Sequence, residues 1–108
     1  MTTPPEADPY IQLLAISQEV FDAQLYEVAY HALMAALHCA DSAQDEDRLI
    51  EVATVAQAQR DRLATESPHH LIAPQAAERR GHRSVYDSLL LQVTAMQLRV
   101  RSGPVTPN

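Results

Sequence analysis

Glycine and proline are absent from the middle of this chain. Neither occurs from Tyr10 to Ser67, and both glycines and all seven prolines lie outside that stretch. These two residues interrupt helices most strongly, whereas alanine, leucine, glutamine and glutamate, which dominate the stretch, tolerate helix well. The 108 residues are therefore predicted to form a single small all-α domain.

Lysine is absent, and cysteine occurs only once. All eight basic residues are arginine, and the net charge is −6. Since a nucleic-acid-binding protein needs a basic surface, we expect no nucleic-acid partner. The missing lysines also disfavour attachment to a membrane surface. The single cysteine, Cys39, excludes an intrachain disulfide and a cysteine-rich zinc site.

Long apolar runs are missing as well. The first residues have neither a basic region nor an apolar core of the kind found in signal peptides. No apolar run approaches the roughly 18 residues that would cross a bilayer. We therefore expect no membrane association and a cytoplasmic location.

The positions of the prolines, the glycines and one capping residue divide the chain into segments. Residues 1–8 and 102–108 are predicted to be flexible tails flanking a helical domain over residues 9–101. Asp8 is placed to cap a helix that starts at Pro9. Helical segments are predicted over residues 9–40, about 46–65 and about 75–101. In the last segment Gly81 predicts either a kink or a separate short helix over residues 75–80.

The first segment could be one helix or two. As one helix it would be about 48 Å long, which is long for so small a domain. Its apolar stripe slips in register near Asp22-Ala23-Gln24, so we favour a turn there.

The residues on both sides of this turn resemble a single tetratricopeptide repeat. Such repeats place small and large apolar residues at fixed positions on two antiparallel helices. The matching residues are Leu13, Ile16, Ser17 and Val20 before the turn and Tyr26, Ala29, Leu33 and Ala36 after it. Two positions depart from the pattern, because Gln24 replaces the usual turn glycine and Asp41 the closing proline. No second copy follows at the repeat distance.

The resemblance implies a fold and a function. The fold is a small bundle of three or four antiparallel helices with a repeat-like N-terminal hairpin, because one repeat cannot bury both of its faces. The function is that of a protein–protein interaction or adaptor module. The residues that would then face a protein partner are Ile11, Leu14, Gln18 and Asp22.

Chemistry-bearing residues are few. Glu27, His31 and His38 share one stripe of the second predicted helix, which offers a metal- or ligand-binding bundle as an alternative function. His31 and His38 are two turns apart, about 10 Å, so zinc would need further ligands from elsewhere. No catalytic motif is present. We therefore expect no enzymatic activity, no cofactor and no bound metal.

Two clusters in the last third of the chain suggest contacts. Leu89, Leu90 and Leu91 place leucine on three sides of one helix, which predicts a homodimer with Leu90 or Leu91 at its interface. The arginines at 79, 80 and 83 are interpreted as a solvated turn, with an anion or partner contact as the alternative.

Overall fold

The computed structural model describes residues 8–103, and its secondary structure is helical throughout, as predicted. The helices are α1 (Pro9–Asp22), α2 (Tyr26–Ser42), α3 (Glu46–Glu66), α4 (Pro74–Arg79) and α5 (Val85–Ser102). Among these residues no helix has the length and apolar character needed to cross a membrane. Most of the two predicted tails lies outside the described residues.

Side-chain caps start three of the helices. The Asp8 carboxylate accepts a hydrogen bond from the Tyr10 backbone N–H at 2.9 Å, and Pro9 follows in the first turn, as predicted. Asp45 caps α3 in the same way, through the N–H of Arg48. Ser84 caps α5 through the N–H of Asp87, so that helix begins at Val85.

A turn divides residues 9–40 into two helices, which confirms the interpretation of the register slip. Gln24, the residue in place of the usual glycine, has a left-handed backbone with φ 66°. The Leu25 N–H bonds to the Val20 carbonyl and the Gln24 N–H to that of Phe21, which is the Schellman pattern of helix ends. An Ala-Gln pair ends α2 too, with Gln44 at φ 51°.

The helix ends differ slightly from those predicted. α2 continues to Ser42, past the predicted end at residue 40. Pro74 starts α4, which is a separate helix of six residues and not part of a kinked α5. Gly81 is responsible for this separation, because its φ of 70° is a left-handed conformation that a continuing helix does not allow.

The four long helices pack mainly with the long helices adjacent to them along the chain. α1 lies along α2, and α3 packs against both α2 and α5. The body measures 52 × 35 × 15 Å, so it is flat. Its core is aliphatic with a few aromatic rings, and the fully buried large side chains include Phe21, Leu33, Leu37, Leu49, Leu63, Tyr86 and Leu89. The predicted all-α bundle is confirmed.

A chain of buried hydrogen bonds joins the four long helices. The Tyr86 hydroxyl donates to Gln59 Oε1 at 2.7 Å, and Gln59 Nε2 donates to Ser17 Oγ at 3.0 Å. Ser17 Oγ in turn donates to the Ala29 carbonyl at 2.7 Å. All three side chains are at most 4% exposed, so each depends on its neighbours for hydrogen bonds that water would otherwise provide.

Candidate functional site

A groove of about 290 Å³ runs between α1 and α3. Residues four apart on each helix form its walls, because such residues share a helix face. From α1 come Gln18, Phe21 and Asp22, and from α3 come Thr54, Val55, Ala58, Gln59 and Arg62. The lining of the groove thus combines apolar and polar side chains.

At one end of the groove, Arg62 contacts an aromatic ring and two carboxylates. Its guanidinium lies 4.8 Å from the centre of the Phe21 ring, a cation–π contact. It also pairs with Asp22 at 2.7 Å and with Glu66 at 3.3 Å. Hydrogen bonds to these two carboxylates raise the pKa of Arg62 above its usual value. One guanidinium therefore faces two carboxylates, and this end of the groove carries a small negative excess.

The buried hydrogen bonds described above hold together the helices that form the groove. Phe21 is 1% exposed and Gln59 is 4% exposed, so both residues form part of the floor of the groove and not its rim. Because Gln59 is held by Ser17 on α1 and Tyr86 on α5, the distance between α1 and α3 is fixed. The groove is therefore formed before any ligand arrives.

The four residues predicted to face a partner lie in three different environments in the structure. Gln18 and Asp22 line the groove, and Ile11 is exposed further along α1. Leu14, in contrast, belongs to the core, because it shares a face of α1 with Ser17 and Phe21. A partner could not reach Leu14 without unfolding that face, so we leave it out of the proposed surface.

The α3 wall was not predicted from the sequence. Thr54, Ala58 and Arg62 follow a spacing of four, but this spacing is shared by ordinary solvent-exposed residues. Their significance comes only from the packing of α3 beside α1, which the sequence does not encode locally.

The predicted histidine stripe does not gather a metal site. Glu27, His31 and His38 are all exposed on α2, and the His31 ring contacts Tyr30 at 5.4 Å between centres. Within residues 8–103, no three histidine, cysteine, aspartate or glutamate side chains come together in a way that could hold a metal ion.

A second groove, beside the start of α1, is lined in part by a polar network of Asp8, Tyr10 and Arg48. Arg48 pairs with Asp8 at 2.7 Å, and its guanidinium lies 4.5 Å from the centre of the Tyr10 ring. The Tyr10 hydroxyl donates to Glu51. The hydrogen bond from Arg48 lowers the pKa of Asp8, whereas burial and Glu51 raise the pKa of Tyr10. These contacts tie α1 to α3 and are structural.

The three consecutive leucines of α5 differ in their exposure. Leu89 is fully buried, Leu90 packs partly against the core, and Leu91 is 51% exposed. Leu98, two turns further on, is 58% exposed on the same side as Leu91. The outward leucines of α5 are thus Leu91 and Leu98, and Leu98 was not predicted.

A comparison of the chain with protein-family models, curated proteins and solved structures found no match.

Proposed function

We propose that this protein is a helical protein–protein interaction module that binds a peptide segment of its partner in the groove between α1 and α3. The observation that carries the proposal is the groove itself, with Gln18 and Asp22 on one wall and Ala58 on the other. The resemblance of α1 and α2 to a tetratricopeptide repeat supports the same function.

The walls of the groove suggest the chemistry of the bound segment. Val55 and Ala58 offer an apolar strip, which favours an aliphatic or aromatic side chain of the partner. Asp22 and Glu66 outnumber Arg62, so a neutral or basic residue would fit beside them. A groove held by buried hydrogen bonds also loses little conformational freedom on binding.

Peptide display on the whole protein would test this proposal. Peptides are selected on the wild type and then measured against Ala58→Arg, which places a long charged side chain across the groove. Gln57→Arg is the matched control, since Gln57 is the exposed neighbour on α3 and does not line the groove. We expect the selected peptides to lose at least about tenfold in affinity with Ala58→Arg, corresponding to one lost apolar contact.

Two results would argue against the groove. One is a selection that yields no peptide with measurable affinity for the wild type. The other is a set of peptides that bind Ala58→Arg and Gln57→Arg equally well, because binding would then take place on another surface. Thermal unfolding of both variants should match the wild type, since both substitutions are at exposed helical positions.

A homodimer is the second candidate. We propose it on the outward face of α5, where Leu91 and Leu98 lie on the side opposite the buried Leu89 and Val93. Light scattering on the wild type and on Leu91→Glu tests it. A wild type that remains near 12 kDa at high micromolar concentration would rule out self-association through this face.

A further inference from the structure

The arginines divide into two groups according to their charge partners. Ion pairs to carboxylates are made by five of the eight, namely Arg48, Arg60, Arg62, Arg99 and Arg101. The other three, Arg79, Arg80 and Arg83, make no ion pair to any carboxylate within residues 8–103. In a protein with a net charge of −6, the three arginines that have no ion pair among residues 8–103 therefore lie in one five-residue segment, 79–83.

The backbone keeps this segment together. Arg79 and Arg80 end α4, and Gly81 then turns the chain with a φ of 70° towards Arg83 and the start of α5. Arg80 is held in place by backbone carbonyls: its Nε donates to Ala76 at 3.2 Å and its Nη2 to Leu71 at 2.8 Å. These bonds fix the position of the guanidinium but do not neutralise its charge.

The segment borders a pocket of about 250 Å³ between the loop before α4 and the start of α5. Leu71, Ile72 and Val85 make its apolar side, and Arg80, His82 and Arg83 its basic side. Leu71 is 59% exposed, the most exposed large apolar side chain among the described residues. None of the described side chains lining the pocket is a carboxylate.

The nearest carboxylates do not cancel the positive charge. Asp87 is already paired with Arg60 at 2.9 Å and accepts a hydrogen bond from Ser84 at 2.8 Å. Glu78 is exposed on α4 and, in the described part of the chain, has no ion pair with the arginines that follow it. Within the described residues, the charges of Arg80 and Arg83 thus remain without a carboxylate partner beside an exposed apolar surface.

We propose that this pocket is a second docking site, which binds an acidic segment of a partner protein. Carboxylates of the segment contact Arg80 and Arg83, and an apolar side chain between them packs on Leu71 and Val85. Charge complementarity supports this occupant, since charge-assisted hydrogen bonds to guanidinium are the strong ones. An extended polyanion such as RNA fits less well, because beyond the pocket it would meet a surface with an excess of carboxylates.

The site differs in charge preference from the groove between α1 and α3. There, two carboxylates surround the single guanidinium of Arg62, whereas here the two lining guanidinium groups, those of Arg80 and Arg83, have no ion pair to a carboxylate within residues 8–103. The two surfaces would therefore select segments of opposite character, and each can be inactivated separately.

Fluorescence polarisation on the full chain would test the proposal. The probe is a fluorescein-labelled peptide of aspartate and glutamate residues interrupted by leucine, and two matched peptides replace either the acids by lysine or the leucines by serine. We expect Arg83→Gln to weaken binding about tenfold through one lost charge-assisted bond. Leu71→Ser should weaken it about threefold, since part of one apolar contact is lost.

Control variants separate this site from the rest of the surface. Arg99→Gln removes an exposed arginine at the other end of α5 and should leave peptide affinity within twofold of the wild type. Ala58→Arg, which blocks the α1–α3 groove, should also leave it unchanged. Failure of the groove proposal would therefore not affect this measurement.

Several outcomes would overturn the proposal. They are absence of binding at millimolar peptide, equal binding of the lysine peptide, and loss of affinity in Arg99→Gln equal to that in Arg83→Gln. Tighter binding of a labelled single-stranded oligonucleotide, lost in Arg83→Gln, would assign the pocket to nucleic acid and likewise contradict us. Arg83 and Leu71 are exposed, so both variants should unfold at the wild-type temperature.

Discussion

The buried hydrogen bonds that connect Tyr86, Gln59 and Ser17 predict that substitutions at Tyr86 and Gln59 have coupled effects on the free energy of unfolding. Tyr86→Phe removes the hydroxyl and leaves Gln59 Oε1 without its donor. Gln59→Leu removes the amide and leaves the Tyr86 hydroxyl without an acceptor. The double variant removes both groups, and Ser17 still donates to the Ala29 carbonyl.

The magnitudes follow from burial. An unpaired polar group in the interior costs about 1–3 kcal/mol, so each single variant should lose that much free energy of unfolding. Replacing both partners by apolar groups is close to neutral, so the double variant should lose no more than about 1 kcal/mol beyond packing changes. The coupling between Tyr86 and Gln59 is therefore expected to be at least about 1 kcal/mol.

Urea unfolding followed by far-ultraviolet circular dichroism would measure this coupling. Tyr10→Phe combined with Tyr86→Phe is the control pair, because the Tyr10 hydroxyl bonds to Glu51 and not to Gln59. That pair should be additive to within about 0.5 kcal/mol. If the Tyr86 and Gln59 variants are additive to the same degree, the reasoning about the buried chain is wrong.

Three further results are expected. Gln24→Gly should stabilise the protein by about 0.5–1 kcal/mol in urea unfolding, because glycine tolerates the left-handed turn, whereas Gln57→Gly within α3 should destabilise it by a similar amount. Burial raises the pKa of Tyr10 and Tyr86, so both stay protonated to a higher pH in the folded state than in the unfolded state. Ionisation of these tyrosines should leave the free energy of unfolding unchanged below about pH 10 and lower it above that pH, by at most about 1.4 kcal/mol per pH unit for each tyrosine, and Tyr10→Phe should reduce this slope. Zinc or nickel should not raise the melting temperature beyond the effect of surface histidines; a gain of about 2.7 kcal/mol at a hundredfold excess over the dissociation constant, lost in His31→Ala, would contradict this.

Much of the fold could be predicted because its signals are local. Three kinds of signal affect the backbone only within about one helical turn. They are the presence or absence of glycine and proline, the capping of α1 by Asp8, and the break at Gly81. The slip in the apolar periodicity of residues 9–40 indicated the turn at residues 22–24.

The sites could be predicted only in part, because they depend on contacts between distant segments. Gln18 and Asp22 were identified, yet the α3 wall with Ala58 and Arg62 comes from more than thirty residues further along the chain. Leu14 was misplaced because its position relative to the core depends on how α1 is rotated against α2 and α3. Gln59 reads as one more solvated glutamine until Ser17 and Tyr86 are brought beside it.

The two Ala-Gln turns have a consequence for protein engineering. Gln24 and Gln44 are exposed, and they store backbone strain at positions that line neither proposed binding surface. Relieving that strain first would give the scaffold a reserve of about 1–2 kcal/mol. A typical substitution destabilises a protein by about 1 kcal/mol, so such a reserve would allow one or two groove residues to be redesigned without loss of the fold.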